Sequence, residues 1–214
     1  MSVESSNKTA HLWVFYCRNK KKGKQKRLPW QEAVFNVVDN LGRLSPTGRR
    51  FGPKVSSWNS DLSPWKAPAV FGREDFGGGA ERTLEEVLNH CADRKKTYII
   101  GGYSLAGLFA LWAAYQTDVF AAVAAASPSI WFPGFVDFMK ENEICCKAVY
   151  LSLGDKEEKA RNPVMASVGA CIREASEVLK NKEVNTILEW NPGNHFKDAD
   201  IRTARAFAWA RSVI

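Results

Sequence analysis

Histidine is scarce in this chain. Its 214 residues include three, His11, His90 and His195, so chemistry that needs a base near neutral pH has few places to sit. The five cysteines, Cys17, Cys91, Cys145, Cys146 and Cys171, are odd in number and lack metal-ligand spacing. A disulfide framework and a zinc site are thereby excluded, and reduced thiols in a cytoplasm are expected. No apolar run is long enough to cross a bilayer. Leu105 to Ala126 comes nearest, and Gln116-Thr117-Asp118 interrupts it. Met1 to Lys8 is polar and has no apolar core, so no secretion signal is expected. Internal repeats and linkers are also missing, which leaves one domain over residues 1–214. At 45% hydrophobic residues that domain can bury a three-layer core.

Acidic residues are outnumbered, 23 against 30 basic, for a formal charge of +7. Much of the excess lies in one glycine-broken loop, residues 19–27, running from Asn19 to Arg27. No aromatic residue is interleaved there and no nucleic-acid motif accompanies it. The run reads as a solvated loop, with neither nucleic acid nor membrane as the expected partner. The field of the whole chain suits an anionic small molecule.

What is present is a strand–turn–helix signature. Tyr98-Ile99-Ile100 reads as a buried strand, Gly101-Gly102-Tyr103-Ser104-Leu105-Ala106-Gly107 as a tight turn, and Leu108 to Trp112 as an apolar helix. Such a corner resembles the nucleophile elbow of α/β-hydrolases, written G-x-S-x-G, with Ala106 at the second glycine. Gly102 lets the turn form, while Ala106 and Gly107 let the helix approach the neighbouring strands.

A serine hydroxyl at neutral pH needs a base, and the base needs an orienting acid. In α/β-hydrolases the chain order is serine, acid, histidine. His11 and His90 precede Ser104, which leaves His195 in the loop Asn191-Pro192-Gly193-Asn194-His195-Phe196, after the strand-like Thr186 to Trp190. The acid is expected after the strand Lys147 to Leu153. Asp155, Glu157 and Glu158 compete there. Triad acids in this fold often lie three residues past the glycine that ends the strand, which selects Glu157, with Asp155 the rival. A solvated acidic turn would explain the same cluster.

Three segments together resemble the esterase family of α/β-hydrolases that includes siderophore (enterobactin-type) esterases and esterase D relatives. They are the elbow with Leu108-Phe109-Ala110-Leu111, the stretch Ala124-Ala125-Ala126-Ser127-Pro128-Ser129-Ile130-Trp131-Phe132, and Gly193-Asn194-His195-Phe196. The likeness covers residues 56 to 214. It implies Ser104 as nucleophile, His195 as base, an acid near Glu157, and Trp131 at the rim of the site. Tyr103 and Trp58 complete the expected substrate pocket, and Trp65, Pro68 and Phe71 could add a wall. The implied activity is ester hydrolysis through an acyl-enzyme, with no metal or organic cofactor.

The amino-terminal part departs from the pattern. His11 to Cys17 reads as a strand, whereas Gln31 to Leu41 has no clean period and residues 42–60 are turn-rich and basic. The three-layer, mostly parallel sheet with helices on both faces is therefore expected to be shortened at its amino-terminal edge. One oxyanion donor should be the N–H of Leu105. The other should come from an early loop, for which Val55 to Trp65 is the nearest stretch, with Trp58 or Asn59 as donor. A hydrolase fold kept as a binding or scaffold protein is the competing function.

The carboxyl-terminal elements are clearer. Thr83-Leu84-Glu85-Glu86 reads as a capping box opening a helix that ends near His90. Strands are expected at Thr97–Ile100 and Phe120–Ala126. Asn162-Pro163 caps a helix through Lys180, with Val164, Val168, Cys171, Ile172, Ala175 and Leu179 on one face. The closing helix runs from about Asp198, with Ile201, Ala204, Ala208 and Val213 inward.

Overall fold

The centre of the fold is a strand that cannot face water on either side. In a computed structural model, which describes residues 10–15, 55, 57–70, 72–93 and 96–214, five strands form one parallel sheet. For residues 10–15 only the backbone is described. The strands are β1 (Ala10–Phe15), β4 (Thr97–Tyr103), β5 (Phe120–Ala126), β6 (Ala148–Gly154) and β7 (Asn185–Asn191), in the order β1-β4-β5-β6-β7. A separate antiparallel pair joins β2 (Lys66–Ala67) to β3 (Phe76–Gly77). The helices are α1 (Trp58–Asp61), α2 (Ala80–His90), α3 (Leu105–Gln116), α4 (Phe135–Glu141), α5 (Pro163–Ala166), α6 (Val168–Asn181) and α7 (Ala199–Ser212).

Central parallel strands are covered on both faces, so they read as unbroken apolar runs. In β5, Val123 and Ala125 join one core cluster, while Ala122, Ala124 and Ala126 join the other. The first cluster takes α2, α3, α4 and α6; the second takes α7 through Ala206, Phe207 and Ala210. Helices therefore cover both faces of a parallel sheet, in three layers. Helix α3 is buried all round from Leu105 to Tyr115, which is why its sequence has no polar stripe. At the sheet's edge β7 carries partly exposed Ile187 and Trp190. No helix among the described residues is long and apolar enough to cross a membrane.

Glycine at position 101 holds two layers together. A Cβ there would lie 2.5 Å from the Ala124 carbonyl oxygen and 2.7 Å from the Phe207 ring. Gly101→Ala should therefore cost about 1–3 kcal/mol by overpacking, seen as a lower urea midpoint. An unchanged midpoint would mean the two layers can separate freely.

Several expected elements need correction. The Thr83 capping box does not form. Helix α2 starts three residues earlier, its first N–H groups are taken by the Ser60 and Ser63 carbonyls, and the buried Thr83 hydroxyl donates to the Asp61 carbonyl. The helix after Asn162 is two helices. Asn162 does cap, accepting from the Val164 and Met165 N–H groups, but Ser167 turns the chain and Val164 is left exposed. The inward face of α7 is Arg202, Thr203, Ala206, Phe207 and Ala210, whereas Ile201, Ala208 and Val213 are exposed. Counting Arg202 as a surface residue rotates the helix to the wrong side. The described residues between Val55 and Trp65 form no strand end; Ser57 caps the short α1 instead, accepting from the Ser60 N–H. The basic loop 19–27, Gln31 to Leu41, and Phe71 lie outside the described residues.

Candidate active site

The elbow forms where the sequence puts it, for a reason that differs in one respect. Ser104, between β4 and α3, has φ 59° and ψ −124°, so the sparsely populated backbone belongs to the serine itself and costs about 1–3 kcal/mol. Gly102 contributes space rather than a positive φ. A Cβ on it would lie 2.6 Å from the Ala106 Cβ and 2.7 Å from its carbonyl carbon. Gly107 does the same against the Gly102 carbonyl and Pro128. Backbone bonds lock the corner. The Ser104 N–H donates to the Ala126 carbonyl, and the Ser104 carbonyl accepts from Leu108 and Ser129.

Two further loops converge on this corner. Loops at the carboxyl ends of β6 and β7 carry Glu157 and His195. His195 Nε2 lies 3.1 Å from Ser104 Oγ, and its Nδ1 lies 2.7 Å from Glu157 Oε2. With the proton on Nδ1 donated to the carboxylate, Nε2 is left as an acceptor for the serine hydroxyl. The His195 side chain is 27% exposed and that of Glu157 only 5%, so the chain of hydrogen bonds opens to solvent at one end. Ser129 Oγ sits 3.2 Å from Ser104 Oγ on another side. If Ser104 donates to His195, Ser129 must donate to Ser104.

The rival carboxylates are committed elsewhere. Asp155 Oδ1 accepts from the Gly193 N–H at 2.7 Å, and Glu158 pairs with Arg173 at 3.0 Å. Asp155 thus braces the loop that carries His195 without touching its ring.

Glu157 is buried but well supplied with donors. Oε1 accepts from the Gly154 N–H (2.7 Å), the Ser127 hydroxyl (2.9 Å) and Arg202 (3.0 Å). Burial pushes its carboxyl up, yet the bond to His195, the histidine's charge, and the Gly154 and Ser127 donors outweigh this. Its pKa ends below the ordinary 4.5. A carboxyl lowered in the folded state adds stability above its unfolded pKa and loses it as pH falls through the folded one. Between about pH 6 and about pH 3 the melting midpoint should therefore drop more steeply in the wild type than in Glu157→Gln. Parallel curves would show that Glu157 is not held ionised.

Tyr103 connects the strand that leads into Ser104 to the loop that carries His195. Its hydroxyl donates to the His195 carbonyl at 2.6 Å, and its ring lies 5.1 Å from the imidazole. Burial first, and the Glu157 charge second, push its pKa to about 12, so it stays a neutral donor. The other two pocket candidates are placed in the core. Trp131 is 9% exposed and faces Phe76, and half-buried Trp58 packs on the same cluster. Trp65, likewise, lies against Phe132, Phe135 and Phe138.

Of the two expected oxyanion donors, Leu105 is the first residue of α3, so its N–H has no intrahelical acceptor and points from a positive helix end. Asn59 is buried in α1, and its side-chain amide donates to the Glu74 carbonyl. Its backbone N–H is the candidate for the role. Among the described residues no group of His, Cys, Asp and Glu could hold a metal ion.

Sequence reasoning missed Arg202, Ser127 and the hydroxyl of Ser129. Ser127 has φ 42°, another strained backbone in the site. It sits in the quoted Ala-Ser-Pro-Ser stretch, but nothing in that stretch tells which hydroxyl faces the acid.

Fold and geometry together define an α/β-hydrolase fold, and comparison with solved structures agrees. The chain is similar to the siderophore hydrolase EstA from Aspergillus nidulans, at 16% identity over 99% of this chain and 85% of that one, with a TM-score of 0.64. An IroE-like serine hydrolase from Shewanella oneidensis is similar at 15% identity over 94% and 70%, with a TM-score of 0.68. SOBER1 from Arabidopsis thaliana is similar at 17% identity over 96% and 98%, with a TM-score of 0.58. At such identities the likeness fixes the fold. No family model matches the chain, and no curated protein matches it in sequence.

Proposed function

We propose that the chain is a single-domain serine hydrolase that cleaves a small carboxylic ester. The observation that carries this reading is the unbroken run Ser104 Oγ–His195 Nε2 and His195 Nδ1–Glu157 Oε2, at 3.1 and 2.7 Å. His195 takes the Ser104 proton as the serine oxygen attacks the ester carbonyl carbon. The oxyanion is met by the Leu105 N–H, with the Asn59 N–H as second donor. His195 then gives the proton to the leaving alcohol, and the acyl group stays on Ser104. Water attacks the acyl-enzyme, losing its proton to His195, which passes it to Ser104 Oγ as the acyl C–O bond breaks and the acid leaves. Glu157 keeps the imidazole in its working tautomer throughout. No metal or organic cofactor enters.

Tyr103, whose ring lies beside the imidazole, is the proposed pocket wall, whereas Trp58 and Trp131 pack with the core cluster. The charge of +7 favours an anionic ester, and the likeness to a siderophore hydrolase makes siderophore-type esters the first to try. Free thiols at Cys145, Cys146 and Cys171 support a cytoplasmic setting.

Mixing the protein with p-nitrophenyl acetate tests the mechanism. A burst of p-nitrophenolate equal to the enzyme present, then slower turnover, is expected for an acyl-enzyme. Folded protein that releases none would favour a binding protein built on the hydrolase fold.

A further inference from the structure

Arg202 is 1% exposed and lies on α7, the helix that closes the far face of the sheet. Its guanidinium reaches three parts of the site at once. One terminal nitrogen donates to Glu157 Oε1 (3.0 Å), the Ser127 hydroxyl (3.2 Å) and the Tyr103 hydroxyl (3.2 Å). The other donates to the carbonyls of Pro192 (3.3 Å) and Asn194 (3.2 Å), which flank the turn leading to His195. Its Nε has no hydrogen-bond partner among the described residues.

Resting on the serine-hydrolase reading, we propose that Arg202 is a positioning residue that sets the acid and the base loop in one geometry. Three observations converge on this. Glu157 has two oxygens, and the donors on Oε1 leave Oε2 for His195 alone. Rotation of the carboxylate is thereby fixed, and with it the direction of the imidazole. The two loop carbonyls hold the segment from which His195 projects, while Tyr103, held by the same guanidinium, donates to the His195 carbonyl. Position 154 completes the clamp. A Cβ on Gly154 would collide with the Gly193 carbonyl and come within 2.9 Å of Glu157 Oε1 and 3.0 Å of the guanidinium, so β6, the acid, the loop and Arg202 close up only around a glycine.

Energetics favour position over stability as the reason for such a group. A buried ion pair loses much of its attraction to desolvation, and an apolar side chain of similar volume often stabilises as well or better. An arginine that leaves one nitrogen unpartnered is a poor way to fill a core. It is a good way to hold five oxygen atoms from separate segments, because its planar fork fixes their directions.

Inactivation kinetics with a fluorophosphonate probe test the inference without a known substrate, comparing wild type, Arg202→Met and Arg202→Lys. The maximal inactivation rate should fall about 100-fold in Arg202→Met, as misplacement of reacting groups does. Lysine keeps the charge but not the fork, so a smaller loss of about tenfold is expected. The probe's half-saturation concentration should move by less than about twofold in both. If the methionine variant does not fold, the lysine variant decides. Variants that label to a lower stoichiometry but at the wild-type rate would make Arg202 merely structural and overturn the inference. Folded variants labelled fully at the wild-type rate would overturn it too, leaving the hydrolase reading intact. Folded wild type that is not labelled would remove that reading and the inference together.

Discussion

Ser104→Ala is expected to lower the turnover of p-nitrophenyl esters by about 10⁶-fold, to whatever binding and the oxyanion donors retain. His195→Ala should lose about as much, and the double variant little more than either alone. On the proposed mechanism the hydroxyl and the imidazole 3.1 Å away act as one device. Without the base the serine is not a nucleophile at neutral pH, and without the serine the base has nothing to deprotonate. The folded state should survive both changes. Alanine at this position must adopt the same φ of 59°, so the strain is unchanged, and His195 is partly exposed. Steady-state rates normalised to folded protein check this. Losses that multiplied in the double variant would mean that the two side chains act independently.

Glu157→Gln should lower kcat by about 10⁴-fold, the scale on which a triad acid is lost when its replacement turns the histidine to the wrong tautomer. The substituted side-chain amide would present an NH₂ to Nδ1 in the 2.7 Å contact, which forces Nδ1 to accept and puts the proton on Nε2, facing the serine. Asp155→Asn should cost less than about tenfold, because Asp155 braces the Gly193 N–H and leaves the imidazole untouched. The order of the two variants decides which carboxylate is the acid. A larger loss in Asp155→Asn than in Glu157→Gln would reverse the assignment.

Local patterns pointed to Ser104, His195 and Glu157 as the candidate triad because each sits within a few residues of a strand end. A buried strand followed by small residues and an apolar helix leaves one geometry for Ser104, and chain order leaves one histidine. Spacing from Gly154 favoured Glu157 over its neighbours, and the structure brings that carboxylate to His195. The site's second layer was not legible, since it depends on which face of α7 turns inward. Arg202, Ala206 and Ala210 recur every four residues, a stripe as regular as Ile201, Ala204 and Ala208. It can be chosen only by knowing that a carboxylate waits beneath it. Thr83 misled for a similar reason. Its hydroxyl bonds across to the Asp61 carbonyl, and carbonyls from residues 60 and 63 do the capping. The aromatic residues Trp65 and Trp131 could be read as a pocket wall or as packing, and their partners Phe76, Phe132, Phe135 and Phe138 come from segments far apart in the chain.

Labelling folded wild type with a fluorophosphonate, followed by peptide mapping, addresses the central claim most directly, because such probes react with an activated serine and need no guess about substrate. The account predicts one label per chain, on Ser104, and none in His195→Ala. A folded wild type that takes up no label, or takes it up equally when His195 is absent, would contradict it.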